Sequence, residues 1–294
     1  MPDALLLPQL SEIFLHKLCE QQHSPGLYVV ATPIGNIFDI TIRALHILKN
    51  AKCIFAEDTR LSKKLLNFYD IKTQLIACHE HNEDKIVSFI QKNNIYALIS
   101  DAGTPLISDP GYKLLNWCVG NDINIFPIPG ACSVIAGLSA SGLPTNCFTF
   151  HGFLPKKLNA QKRYLSDIKF AKETMIFFES PKRLLSTLSN MLDIFGDRFC
   201  CICRELTKVF EELRRCALSD SVKHFSINKP IGEFVLIVSG AKESHINQNE
   251  IFSHLCKLLK TNSLKNSVEE VSTRYCISKN IIYKKAIEIK KEKS

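Results

Sequence analysis

The chain has 294 residues, a length that predicts about two domains. Apolar residues make up 46% and charged residues 22%, values typical of folded proteins, which exclude a disordered chain and a collagen-like repeat. Mean hydropathy is +0.02, and we find no apolar run near the roughly 18 residues that a membrane-spanning helix needs. Asp3 and Glu12 lie where a secretion signal is normally positively charged, so we expect a cytoplasmic protein.

Charge is concentrated at the C-terminus. The formal net charge is +8, and residues 241–294 contain eleven Lys and Arg against six Asp and Glu. Such a segment favours a polyanionic partner, most plausibly nucleic acid. A solvated, charged terminal helix explains the charge equally well.

The cysteine and histidine patterns indicate neither a disulfide framework nor a metal site. The twelve cysteines are spread along the chain, and we expect reduced thiols that pack as small apolar side chains. His79-Glu80-His81 has a spacing that suits a metal, but no third ligand lies nearby in the sequence, so we predict no metal site.

Short apolar runs alternate with helical patterns through the first half, beginning at Leu27. This alternation predicts a parallel α/β sheet, whose ligands bind at the carboxyl ends of its strands. A helix follows the first strand, with Asp39 or Thr41 as its N-cap. We predict an N-terminal extension (1–25), an N-terminal α/β domain (26–145), a C-terminal α/β domain (146–240) and a basic helical tail (241–294). In the tail, a helix beginning after Ser278 completes a pattern like a helix-turn-helix.

The loops after the predicted strands are the candidate sites. Residues 100–111 contain two Gly, two Pro and two Asp, which favours a ligand site over an ordinary Asx-capped turn. Residues 32–36 follow the first strand, and the chain has neither a G-x-G-x-x-G nor a P-loop pattern. Glu57, Asp58 and Arg60 suit a general base and a phosphate clamp, or simply a helix N-terminus. Lys156 and Lys157 suit contact with a phosphate backbone.

Together these loops resemble the tetrapyrrole methylase superfamily, and within it the ribosomal RNA branch. The matching segments are 27–36 (LYVVATPIGN), 56–60 (AEDTR), 100–111 (SDAGTPLISDPG), 129–130 (PG), 142–144 (GLP), 152–155 (GFLP), 178–180 (FES), 204–208 (RELTK) and 232–233 (GE). Members that act on small molecules typically carry a G-x-G-P-G-D loop after the first strand, where this chain has residues 32–36 (TPIGN).

The resemblance implies two α/β domains with S-adenosyl-L-methionine in the cleft between them, in a homodimer. It also implies 2′-O-methylation of a cytidine in the decoding region of 16S rRNA, on naked RNA or on the small ribosomal subunit. The cofactor-binding residues that it implies are Pro33, Gly35, Ser100, Asp101, Ala102, Gly103, Thr104, Pro105, Gly130, Ser133, Phe178, Glu179, Arg204, Glu205, Leu206 and Glu233.

Residue type and loop position make Glu57, Asp58 and Arg60 our catalytic candidates. The tail resembles the helix-turn-helix-like tail of this branch, which suggests RNA contact through Lys279, Lys284 and Lys285; a subdomain that caps the second domain is the alternative. Two other functions stay open: methylation of a tetrapyrrole or other small molecule, and RNA binding without catalysis.

Overall fold

The computed structural model describes residues 22–79, 82–241, 248–275 and 277–291. It divides into two compact units, Met1–Ser133 and Val134–Ser294. The extension before residue 22, Cys19 and Cys276 lie outside the described residues. The domain limits at residues 26, 146 and 241 stay predictions. Within the described residues, no helix combines the length and apolar character needed to cross a bilayer.

A parallel sheet forms the centre of the first unit, as the alternating pattern predicts. Its strands in the described residues are β1 (Gly26–Val30), β2 (Cys53–Ala56), β3 (Leu75–Ala77), β4 (Ile95–Ile99) and β5 (Ile125–Ile128). They are ordered β3-β2-β4-β1-β5, and every neighbouring pair is parallel. Every residue of β1 and β2 is buried, because helices cover both faces of the sheet.

The covering helices separate the apolar side chains into two clusters, one on each face of the sheet. They are α1 (Ile42–Asn50), α2 (Thr59–Phe68), α3 (Glu83–Ile86) and α4 (Tyr112–Gly120). Thr41 is the N-cap of α1, and its hydroxyl accepts a hydrogen bond of 3.1 Å from the amide of Ala44. Of the two predicted caps, Thr41 is therefore the one that is used.

The second unit contains a mixed sheet. The strands are β6 (Phe148–Phe153), β7 (Thr174–Glu179), β8 (Phe199–Arg204), β9 (Glu212–Ala217) and β10 (Phe234–Val238). Their order is β6-β7-β10-β8-β9, with β6 and β7 parallel and the other pairs antiparallel. The helices packed with this sheet are α5 (Ser133–Ser141), α6 (Leu158–Ile168), α7 (Leu184–Phe195) and α8 (Leu218–Ile227). This arrangement confirms the predicted α/β class. Cys200, Cys201 and Cys203 are buried free thiols, as expected.

The basic tail forms three helices, α9 (Gln248–Thr261), α10 (Leu264–Tyr275) and α11 (Lys279–Lys291), within the described residues. Ser278 directly precedes α11, and its carbonyl accepts from the amide of Ile282. The tail helices share an apolar cluster with Phe170 of the second unit, and the rings of Phe170 and Tyr275 lie 4.7 Å apart. The tail is therefore packed onto this unit and is not a free appendage.

Replacing Phe170 by Ala tests this packing. Phe170 is only 5% exposed, and deleting a buried Phe side chain costs about 3–5 kcal/mol. We expect the free energy of local unfolding of the tail to fall by this amount, as measured by hydrogen exchange of the α10 amides. Phe199→Ala is the matched control because Phe199 is 45% exposed. Equal protection of α10 in both variants would contradict the packing described here.

Candidate active site

Loops from four neighbouring strands meet at the carboxyl edge of the first sheet, because parallel strands all end at the same edge. These loops are 31–36 after β1, 57–58 after β2, 100–111 after β4 and 129–132 after β5. The structure thereby gathers at one edge the predicted residues of the first unit: Pro33, Gly35, Glu57, Asp58, Arg60, Ser100, Asp101, Ala102, Gly103, Thr104, Pro105, Gly130 and Ser133.

Direct hydrogen bonds connect three of these loops. The amide of Thr32 donates to the carbonyl of Gly103 over 2.8 Å, and the amide of Gly103 donates back over 3.0 Å. The hydroxyl of Thr32 also donates to the carbonyl of Ser100, at 3.3 Å. The hydroxyl of Thr104 donates to the carbonyl of Ala131 over 3.1 Å, which adds the loop after β5. These hydrogen bonds hold the loops after β1, β4 and β5 in place relative to one another.

Two glycines allow the loops to approach so closely. Gly103 has a φ of +84°, and a Cβ there would lie 3.2 Å from the Cγ2 of Ile34. A Cβ on Gly130 would lie 2.9 Å from the Cβ of Ala31. Larger residues would separate the loops, so both glycines are needed for the contact.

Three carboxylates lie close enough to repel one another at this edge. Burial, followed by the charges of Asp101 and Asp109, raises the pKa of Glu57. Burial and then Asp101 raise the pKa of Asp109, against the effect of a hydrogen bond from Ser100. Asp101 also accepts a hydrogen bond of 2.9 Å from the amide of Asp58. A positively charged ligand would relieve the repulsion among the three carboxylates.

Asp58 differs from its neighbour Glu57. As the N-cap of α2, its carboxylate accepts from the amide of Arg60 at 2.8 Å. It also accepts from the guanidinium of Arg60, at 3.1 Å and 2.8 Å. These hydrogen bonds lower the pKa of Asp58 to about 2. Asp58 is therefore a weak base that positions Arg60 at the start of α2.

Two carboxylates at this site are absent from the predicted set. Asp109 lies within the matching segment 100–111, so the motif itself contains the signal for it. Glu83 is 3% exposed, and its carboxylate accepts from the amides of Gly111 and Leu114, at 3.2 Å and 2.8 Å. It thus holds the end of the 100–111 loop and the start of α4. Glu83 is the first residue of α3, a short helix, and no sequence motif identifies it as a buried residue of the site.

In the second unit, Glu179 at the end of β7 is buried and fully paired. Its carboxylate accepts from the guanidinium of Arg183 at 2.8 Å, the hydroxyl of Thr187 at 2.6 Å and the amide of Ser180 at 2.7 Å. Both carboxylate oxygens of Glu179 are therefore hydrogen-bonded to groups of the same unit. Phe178 beside it is half-buried, and its ring lies 4.9 Å from that of Phe150.

The other predicted residues of this unit surround the end of β8. Glu205 accepts from the amide of Glu233 at 2.8 Å and from the ammonium of Lys208 at 3.0 Å; Lys208 also donates to Glu233 at 2.9 Å. Burial alone would raise the pKa of Glu205, but these partners lower it. Arg204 donates to the carbonyl of Ile231 over 2.7 Å. Leu206 is buried beside them.

The predicted RNA-binding lysines lie on the surface of the second unit and its tail. Lys156 and Lys157 are exposed just before α6, and Lys284 is exposed on α11. Lys279 pairs with Glu269 at 2.7 Å, and Lys285 pairs with Glu288 at 2.8 Å. Two of the three tail lysines thus already have acidic partners.

The His79-Glu80-His81 motif is only partly visible, because Glu80 and His81 lie outside the described residues. Among the residues that the structure does describe, no three His, Cys, Asp or Glu side chains converge as metal ligands would.

Residues 26–221, about two thirds of the chain, match the family described as Tetrapyrrole (Corrin/Porphyrin) Methylases. The chain belongs to the tetrapyrrole methylase family. Solved structures of this fold include cobalt precorrin-4 methyltransferase, with a TM-score of 0.55, 15% identity, and coverage of 72% of this chain and 94% of that one. Diphthine synthase gives a TM-score of 0.56 at 14% identity, over 73% and 89% of the two chains. At such identities they show the fold alone.

Curated relatives within the family are much more similar. A protein of Halalkalibacterium halodurans named ribosomal RNA small subunit methyltransferase I is 49% identical over 76% of this chain and 79% of its own. The protein of the same name from Vibrio cholerae is 42% identical over 90% of this chain and 95% of its own. These relatives confirm the resemblance to the ribosomal RNA branch.

The raised pKa of Glu57 predicts how stability depends on pH. A carboxyl group whose pKa is higher in the folded chain loses stability as pH rises through that pKa, whereas Gln stays neutral. We therefore expect the free energy of unfolding of Glu57→Gln to increase relative to that of the wild type as pH rises from about 4.5 towards neutrality. Chemical denaturation over this interval measures the difference.

Asp58→Asn is the matched control. Its lowered pKa gives the wild type an advantage that is already present above the unfolded-state pKa, so this difference stays nearly constant over the same interval. Parallel curves for Glu57→Gln and the wild type would contradict the repulsion described above.

The pairing of Glu179 predicts a loss of stability. Glu179→Ala removes the partner of Arg183 and Thr187 and should cost the second unit about 3 kcal/mol in free energy of unfolding. Glu233→Ala is a matched control, because the Glu233 side chain is 77% exposed and exposed ion pairs contribute about 0–1 kcal/mol. Denaturant melts of the two variants measure both costs, and equal losses would contradict the structural role of Glu179.

Proposed function

We propose that this protein transfers a methyl group from S-adenosyl-L-methionine to the RNA of the small ribosomal subunit in the cytoplasm. The observation that carries the proposal is the set of hydrogen-bonded loops at the carboxyl edge of the first sheet. Those loops are formed by a chain 42% identical, over 90% of its length, to a relative named ribosomal RNA small subunit methyltransferase I. We further propose the ribose 2′-hydroxyl of a cytidine in the decoding region as the acceptor, and a homodimer as the active form.

The first unit's loops suit this cofactor in charge and in shape. S-adenosyl-L-methionine carries a sulfonium and an ammonium group; burial and then the charges of Asp101 and Asp109 raise the pKa of Glu57, so a bound cation would stabilise the ionised carboxylates. Gly103 and Gly130 keep the loops free of side chains where they approach each other. We propose that residues 100–105, with Pro33, Gly35, Gly130 and Ser133, hold the cofactor. From the second unit, we propose Phe178, Glu179, Arg204, Glu205, Leu206 and Glu233.

When bound, the cofactor supplies an electrophilic methyl group for an in-line displacement. The protein must then align the ribose hydroxyl and accept its proton. We assign the proton to Glu57, because a raised pKa makes a carboxylate a stronger base. Asp58 is a weaker base, and its role is to position Arg60 as a clamp for a substrate phosphate. Lys156, Lys157, Lys279, Lys284 and Lys285 would contact the phosphate backbone.

Replacing Glu57 by Gln tests the chemistry. Losing a general base costs about 10²- to 10⁴-fold in rate, so we expect kcat for methyl transfer to small ribosomal subunits to fall by that factor. The Kd for S-adenosyl-L-methionine, measured by calorimetry, should rise by a much smaller factor than kcat falls, because Asp101, Asp109 and the other cofactor loops are intact.

Two further variants complete the test. Asp84→Asn changes an exposed carboxylate on α3 and should transfer methyl at the wild-type rate. Arg60→Ala should raise the KM for subunits more than it lowers kcat. A Glu57→Gln variant with wild-type kcat would contradict the assignment of the base, and a wild-type protein that binds the cofactor but transfers no methyl to subunits or naked rRNA would contradict the function.

A further inference from the structure

A basic groove runs beside α2 in the first unit. Its volume is about 650 Å³, and its lining includes the cations of Arg60, Lys63 and Lys72 and the polar side chains of Asn67 and Thr73. Among the lining residues that the structure describes, none is acidic. The groove begins at Arg60, next to the candidate active site, and extends to the residues that lead into β3.

The exposed face of α2 continues this positive charge. Arg60, Lys63, Lys64 and Asn67 follow the i, i+3, i+4, i+7 spacing that places side chains on one side of a helix, and all four are exposed. Arg60 pairs with Asp58, which is the N-cap of the same helix.

In the part of the chain that the structure describes, Asp70 also pairs with a cation of this surface. Asp70 lies 3.4 Å from Lys72, with both side chains 86% exposed. Ion pairs this exposed contribute little stability, so a phosphate can replace the carboxylate at small cost.

An exposed aromatic pair borders the basic face. Phe38 is 75% exposed and Phe68 is 56% exposed, and their ring centroids lie 6.1 Å apart in an edge-to-face arrangement. Phe68 ends α2, one turn after Lys64, while Phe38 follows the 31–36 loop. Large exposed rings beside cations are what single-stranded nucleic acid requires, because every unpaired base offers a face for stacking.

We propose that the basic face of α2 and the Phe38–Phe68 pair form a binding site for single-stranded RNA. Lys63, Lys64 and Lys72 hold successive phosphates, and Phe38 and Phe68 stack an unpaired base. The ten residues of α2 span about 15 Å, so a strand on this face leads to Glu57. That this RNA is the methylated substrate rests on the proposed function; the RNA site itself does not.

Charge favours RNA over a protein partner on this surface. A protein-binding patch is generally depleted of lysine at its centre, whereas here lysines lie along the groove and the rings lie at one end. Contact with another protein is therefore the alternative outcome of the test.

Binding of a fluorescent oligocytidine of about twelve nucleotides to the full chain, followed by anisotropy over a range of salt concentrations, tests the charges. Each phosphate contact on a single strand contributes about 0.7 to the slope of log K against log salt. The double variant Lys63→Glu/Lys64→Glu should therefore bind more weakly and lose about 1.4 from that slope. Lys85→Glu/Lys92→Glu reverses two exposed lysines elsewhere in the same unit and should match the wild type.

The aromatic pair has its own variants. Phe38→Ala and Phe68→Ala should each weaken binding about 5- to 150-fold, the effect of losing one stacked base, with the salt slope unchanged. Phe89→Ala is the control, because Phe89 is 52% exposed and lies outside this surface. Thermal melts identify any variant that fails to fold, and Phe38, in a short exposed turn, is the substitution least able to disturb the core.

The outcomes separate this site from the proposed function. Variants that bind oligocytidine as the controls do would overturn the RNA site, even if the wild type methylates subunits. Variants that lose oligocytidine affinity support it, even if the wild type transfers no methyl. An unchanged oligocytidine affinity combined with weaker binding to whole subunits, or with an altered oligomeric state, would indicate a protein contact and overturn the proposal.

Discussion

The paired backbone hydrogen bonds between Thr32 and Gly103 are the contact on which the candidate active site depends. The parallel sheet brings its loops to one edge, but the edge alone does not give them a fixed shape. The Thr32–Gly103 pair joins the loops after β1 and β4, and Thr104 adds the loop after β5 through Ala131. Two of the hydrogen bonds described between the loops join backbone groups alone, and two use the hydroxyls of Thr32 and Thr104.

Charge then distinguishes the two units. In the second unit, the carboxylates at the strand ends are satisfied: Glu179 by Arg183 and Thr187, and Glu205 by Lys208. In the first unit, burial and then the charges of Asp101 and Asp109 raise the pKa of Glu57. The paired carboxylates stabilise their unit. Those of the first unit would attract a cationic ligand, and the raised pKa of Glu57 suits it to accept a proton. The proton transfer that we propose therefore resides in the first unit.

Much of this arrangement could be predicted from local sequence. Apolar runs followed by Gly, Pro and Asp predict buried parallel strands with loops together at their carboxyl ends, and the fold confirms the strands and the position of the loops; that these loops bind a ligand stays a prediction. The opposite environments of Glu57 and Asp58 could not be predicted, because adjacent side chains point different ways and only the folded loops decide their neighbours. The burial of Glu83 and the packing of Phe170 against the tail depend on contacts between segments distant in sequence, which local patterns do not contain.

The most direct test of the proposed function is to identify the methylated nucleoside. Small ribosomal subunits from cells that lack this protein would be incubated with it and S-adenosyl-L-methionine, and their RNA digested by nuclease and analysed by mass spectrometry. A single 2′-O-methylcytidine in the decoding region is the predicted product. A methyl group on a base, or subunit RNA that stays unmodified while the cofactor binds, would contradict the proposed reaction and direct attention to a different acceptor.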